Sequence, residues 1–180
     1  SFETTCSGIE CWGDEPDTNC NGTILLPDTA SITLDGTAIS SGSWVGVFYT
    51  DSNGDYGYAG GVQWNEVVTS IAAWGAETGQ GSGGSGGFAA GETITYGIIN
   101  PANGETIYST NITYMTDSQF STSADFACNM LLGIDELSFE TTCSGIECWG
   151  DEPDTNCNGT ILLPDTASIT LDGAAISSGS

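Results

Sequence analysis

No lysine, arginine or histidine occurs in this 180-residue chain, against 24 aspartates and glutamates, and the formal net charge is -24. Each absence removes a class of function. Nucleic-acid binding needs cations that neutralise phosphates and release counterions, and no side chain here supplies one. A basic patch for anionic membranes is missing for the same reason. Without histidine there is no Ser-His or Cys-His pair, and without lysine no Ser-Lys pair, so the usual activated nucleophiles are excluded. Lys-dependent isopeptide cross-links cannot form, and trypsin-like proteases have no bond to cut. Side-chain ion pairs are equally ruled out, so the carboxylates must be spread apart, hydrogen-bonded, or compensated by cations from the medium. Calcium, a hard cation that prefers oxygen ligands, is the natural one. No apolar run reaches the length of about 18 residues that a spanning helix needs, so membrane insertion is not expected. The chain opens with neither a basic n-region nor an apolar h-region, so any signal peptide is expected to have been removed or to lie upstream. Charged residues make up only 13% of the chain, which separates it from acidic disordered tails.

What the chain does have is a repeat. Residues 1–43 read SFETTCSGIECWGDEPDTNCNGTILLPDTASITLDGTAISSGS, and residues 138–180 read the same except for Ala174 in place of Thr37, at an offset of 137 residues. Near-identity over that length records a duplication and not a convergent structural period. A unit of 137 residues is the size of an ordinary single domain and can bury its own core. The chain therefore reads as one full unit plus the opening third of the next, a window on a tandem array or a subunit whose tail copies its head. The expected organisation is a Cys-rich acidic connector over 1–20, a β-repeat unit over 21–137, and the start of the next repeat over 138–180. Residues 160–177 of that second copy are candidates to supply first strands to the 44–137 globule, which would satisfy open sheet edges.

Cysteine usage follows the same period: Cys6, Cys11, Cys20 and Cys128 in the first unit, then Cys143, Cys148 and Cys157. Four per period, with no CxxC spacing and no histidine, indicates disulfides and an oxidising compartment, hence an extracellular or cell-surface protein. Four cysteines allow three pairings, and sequence does not choose among them. A bond from Cys128 to Cys143, Cys148 or Cys157 would staple one unit to the next; the alternative is a bond within the unit.

From Asn21 onward, short apolar runs recur between turn residues, the pattern of an all-β sandwich or barrel. Strands are expected over 23–26, 30–34, 44–50, 56–64, 67–74, 92–99, 105–115 and 126–132. Ala30, Ile32 and Leu34 share one face by period-two alternation, and Trp44 is expected in the core. Asn53-Gly54 between two β-rich runs marks a hairpin. Residues 79–87 (GQGSGGSGG) read as a flexible loop, and 133–137 as a lead into the next copy. The expected fold class is all-β: an antiparallel two-layer β-sandwich, Ig-like or jelly-roll-like, repeated with the 137-residue period.

The segments WVGVFYTDSNGDYGYAGGVQW, AAWGAETG and GFAAGETITYGI, within residues 24–132, together resemble a module repeated in very large secreted and surface proteins of Bacteroidota. The resemblance implies extracellular β-domains in long arrays and no particular reaction. Two positions depart from that pattern. Ala59 stands where many such modules carry Cys, so no disulfide transfers there, and Tyr96-Gly97-Ile98 replaces the usual Trp and Lys.

Several stretches carry chemistry on paper. Asp51-x-Asn53-x-Asp55 has the spacing of the first ligands of a calcium loop, yet Tyr56 and Val62 stand where that loop needs Gly and Glu, so it reads as a hairpin turn. Asp14, Glu15, Asp17 and Asn19 form a denser oxygen cluster and are the candidate calcium ligands. Asp28-Thr29 and its copy Asp165-Thr166 lack the glycine of an aspartic-protease motif and exist twice only because the unit repeats. Asn21, Asn111 and Asn158 begin N-x-Thr sequons and are candidate glycosylation sites. The expected function is a structural repeat of an extracellular filament or surface array, partnered by copies of itself and by glycans. It needs no cofactor and is not an enzyme. The alternative is a carbohydrate-binding adhesive module with an exposed row of Trp and Tyr.

Overall fold

Alternation of apolar and polar residues builds the strands, and the computed structural model describes residues 8–16, 18–77 and 86–141 together with the backbone of 170–171 and 174–175. Two compact units divide the chain, 1–141 and 142–180.

In the first unit, β1 (Asn21–Leu26) turns Gly22, Ile24 and Leu26 inward. Pro27 has no N–H to continue the ladder, and Ala30 N–H donates to its carbonyl at 2.9 Å to close a turn. β2 (Ser31–Leu34) and β3 (Thr37–Ala38) form a tight hairpin over Asp35 and Gly36. Both turn residues have positive φ, 50° and 75°, as a turn matched to the strand twist requires. β4 (Ser43–Thr50) and β5 (Tyr56–Trp64) are the hairpin expected around Asn53-Gly54, followed by β6 (Thr69–Trp74), β7 (Thr95–Ile99), β8 (Thr106–Tyr114) and β9 (Leu131–Phe139).

The strands form one mixed, largely antiparallel sheet in the order β3-β2-β9-β8-β7-β4-β5, with β1 joining β9 to β6. The all-β expectation holds, but the purely antiparallel one does not. β9 runs parallel to β1 (Thr23↔Leu131) and to β2 (Ile32↔Leu137), and antiparallel to β8 (Ile112↔Leu137). A parallel neighbour needs a long connection, and here all of β3 to β8 serves as that connection, which short-range turn signals do not reveal.

Three further local expectations are corrected. The last strand is not 126–132: Met130 N–H donates back to Ala127 O at 3.1 Å and Asn129 has φ 62°, so a turn occupies 127–130 and β9 starts at Leu131. Val67 and Val68 are not in β6; they are 57% and 61% exposed in the β5–β6 turn, next to Glu66 at φ 59°. Trp44 is only half-buried, at the start of β4 ahead of the buried run Val45–Phe48, and the buried tryptophan among the described residues is Trp64. Most of the 79–87 loop lies outside the described residues.

The core gathers Ile24, Leu26, Ile71, Ile94, Tyr96, Leu132, Ile134, Leu137 and Phe139, with Phe88 stacked on Phe126 at 5.0 Å. At one end, Cys20 and Cys128 form a disulfide with Cα atoms 5.2 Å apart across a separation of 108 residues. This decides against Cys128 as the staple to a following copy. Two anchors place it: Gly75 N–H donates to Cys20 O at 2.8 Å, and Thr18 Oγ1 donates to Gly75 O at 2.7 Å.

In the second unit, β10 (Thr170–Leu171) pairs with β11 (Ala174–Ala175) through Thr170↔Ala175 and Leu171↔Ala174. This is the register of Thr33↔Ala38 and Leu34↔Thr37 in the first copy. The first strands of the first unit come from its own residues 21–34; apart from these four backbone positions, the candidate donors 160–177 lie outside the described residues.

Closing a loop of this separation removes much unfolded-state entropy, so replacing Cys20 and Cys128 together by Ser is expected to cost about 4–5 kcal/mol in urea unfolding. A variant as stable as the parent would refute this pairing. Gly60 sits at φ 142°, and a Cβ there would collide with the backbone oxygen of Ala72. Gly60→Ala is therefore expected to lose about 2–3 kcal/mol, while Gly54→Ala, in open space at the hairpin tip, loses less.

Candidate functional site

Of the acidic stretch expected to be a connector, the described residues include Trp12 and Glu15, which contact the sheet. A single 3-10 turn, Ile9–Cys11, presents Trp12. The Trp12 indole lies over Gly46, where any Cβ would meet the ring at 2.7 Å. Its edge meets Phe48 at 5.2 Å and it tilts against Tyr58 at 5.5 Å; Phe48 continues to Tyr108 at 5.3 Å and Tyr108 to Tyr56 at 4.3 Å. Trp12 Nε1 donates to Thr106 Oγ1 at 2.7 Å, which gives the ring one orientation. Edge-on and tilted aromatic contacts of this kind add to the area they bury.

Glu15 follows one turn later, and its carboxylate accepts from Tyr58 Oη at 3.1 Å and from Trp74 Nε1 at 3.2 Å. Without any cation, two neutral donors compensate this charge. Burial pushes the Tyr58 hydroxyl far above its ordinary 10.0, and the negative charge of Glu15 adds to the effect. Burial likewise raises Tyr96, Tyr108 and Tyr114, with Tyr96 and Tyr114 facing each other at 3.4 Å between hydroxyls.

Of the four candidate calcium ligands, three lie in the described residues. Glu15 is committed to Tyr58 and Trp74, Asp14 and Asn19 are exposed, and Asp17 lies outside the described residues. Among the described residues no group of three or more acidic or Cys side chains is placed to hold a metal. The Asp51-x-Asn53-x-Asp55 spacing belongs to the turn: Asp51 Oδ1 accepts the backbone N–H of Asn53 at 2.8 Å and of Asp55 at 2.9 Å. Those bonds, that of Asp55 foremost, hold its carboxyl below the usual range.

Cys11 is disulfide-bonded, and Cys6, Cys143, Cys148 and Cys157 lie outside the described residues. Asn21 at the start of β1 and Asn111 in β8 are exposed, and Asn158 is not described. Sequence reasoning did not single out an open groove of about 510 Å³ floored by Tyr114, Met115, Phe120 and Leu132 and edged by Asp117 and Ser121. No periodic signal marks it, because its walls come from an irregular loop.

Comparison with protein-family models, with curated proteins and with solved structures gives no match for this chain. The likeness of 24–132 to Bacteroidota surface modules therefore carries no family assignment.

The four raised tyrosines set an alkaline limit. A fold that favours the neutral phenol contributes stability that is complete below pH 10.0, the unfolded value, and is lost as pH climbs through the raised native values. Tyrosinate absorbance is expected to appear together with loss of near-ultraviolet circular dichroism above that pH. Ionisation of all six tyrosines at their ordinary pH with structure intact would contradict it.

Proposed function

We propose that this chain is a structural repeat of an extracellular filament or surface array, each unit a two-layer β-sandwich and successive units joined in tandem by the polypeptide itself. The observation that carries this reading is the place of the repeat boundary. Leu137 ends one sequence copy and Ser138 begins the next, and both lie inside β9 (Leu131–Phe139). The boundary between the sequence copies thus falls inside a strand of the sheet.

Two further observations support a structural role. The large hydrophobic side chains exposed among the described residues are Tyr56, Val67 and Val68, with none of the described tryptophans among them, which favours this reading over a sugar-binding platform. A disulfide between distant segments of one small unit suits persistence outside the cell. The partners in this reading are copies of the repeat, with glycans on exposed Asn21 and Asn111. It calls on no catalytic group and no cofactor, and calcium enters only as a counter-ion for surface carboxylates.

Electron microscopy of the purified array, with unreduced peptide mapping, tests the reading. Continuous filaments and a Cys20–Cys128 cross-linked peptide are expected. Isolated beads on a flexible string would overturn it in favour of an adhesive display module.

A further inference from the structure

The folded unit ends at Thr141, four residues beyond the end of the sequence repeat at Leu137. Those four residues, Ser138–Thr141, are the first four of the second copy, the same tetrapeptide that opens the chain as Ser1–Thr4. Three of them, Ser138, Phe139 and Thr141, are bonded to the first unit, while Glu140 is exposed. Phe139 pairs with Leu34 on β2 and with Ser109 on β8, and its side chain is 0% exposed within the core. Its carbonyl accepts the N–H of Asp35 at 2.9 Å. Ser138 pairs with Thr33 and Asn111, and its carbonyl accepts from Thr110 Oγ1 at 3.3 Å. Thr141 closes the set: its N–H donates to Asp35 Oδ1 at 2.9 Å and its Oγ1 to Asp35 Oδ2 at 2.8 Å. One carboxylate at the β2–β3 turn therefore fastens the end of the strand from both sides.

We infer that the folding unit is offset from the sequence repeat, each copy lending its opening Ser-Phe-Glu-Thr to the unit before it as a terminal staple. The receiving cradle is the channel between β2 and β8 with Asp35 at its end, and its occupant is the head of the next copy. Ser1–Thr4 is by the same rule a staple for a preceding unit. Asp172 is the sequence twin of Asp35, and the register of β10 on β11 repeats that of β2 on β3; by the same rule it would receive the head of a further copy. Extended to an array, which rests on the reading proposed above, the rule leaves only residues 142–144 between Thr141 and Gly145, the twin of Gly8 that caps the 3-10 turn.

Twin substitutions in the 180-residue chain test the offset, because each pair shares its local sequence and the inferred rule gives only one member of each pair a partner within this chain. Phe139→Ala is expected to lower the melting temperature of the first unit by about 10 °C and Asp35→Ala by about 5 °C, whereas Phe2→Ala and Asp172→Ala leave it within about 1 °C. Should Phe139→Ala not fold, Phe139→Leu against Phe2→Leu gives the same asymmetry on a smaller scale. Hydrogen exchange on the unaltered chain adds an independent reading, the Thr141 amide being protected and that of Thr4 exchanging freely. Equal effects at the two copies, or equal exchange at Thr141 and Thr4, would overturn the inference. Failure to see filaments by microscopy would leave this asymmetry untouched, so the two readings fail separately.

Discussion

A single sign of charge is the constraint on which the rest of this structure depends. With no cationic side chain, each carboxylate must remain in water or find neutral donors, and the turns are built where such donors converge. Asp51 folds the β4–β5 hairpin around its own oxygen. Glu92 takes the N–H of Thr50 at 2.6 Å and of Ala89 at 2.8 Å, tying the start of β7 to the end of β4. Asp35 fastens the end of β9, and Glu15 fixes the N-terminal segment to Tyr58 and Trp74. In a protein with lysines and arginines these positions would often be ion pairs, whose net worth at a surface is small. Here the same task falls to directed hydrogen bonds, which place the backbone as well as compensating the charge.

β9 is the second organising feature. It is shared by β1 and β2 on one side and β8 on the other, and its register against β8 shifts between Thr113 and Tyr114, with Asp135 as the extra residue. That irregularity changes which side of the strand faces the core: Leu132, Gly133 and Ile134 are buried in succession, Asp135 and Glu136 are exposed, and Leu137 and Phe139 return inward. A bulge that bends a strand and reorients its faces lets one strand serve two neighbours. It also explains why the segment did not read as a strand, since period-two alternation is broken at its centre.

The docking of Trp12 is hidden from the sequence for a related reason. Residues 1–20 carry turn residues and acids with little period, which describes a connector until the aromatic partners are in view. Trp12 needs Gly46 beneath it and Phe48 and Tyr58 around it, and all of these come from strands more than 30 residues further along the chain. A lone tryptophan in an acidic stretch is the signal that was present, and nothing local says where it docks.

The sequence by itself determined the all-β class, the hairpin at Asn53-Gly54, the inward face of Ala30, Ile32 and Leu34, the exclusion of cation-dependent chemistry, and the repeat. All of these rest on local chemistry: strand alternation with period two, turns that need Asn or Gly, and the identity of the ionisable groups. Only the tertiary structure decided the parallel seat of β9, the Cys20–Cys128 pairing and the four-residue overrun of the repeat boundary. Those depend on which of several compatible edges and thiols meet across about a hundred residues, a choice made by how the apolar faces close into one core and not by any pattern along the chain.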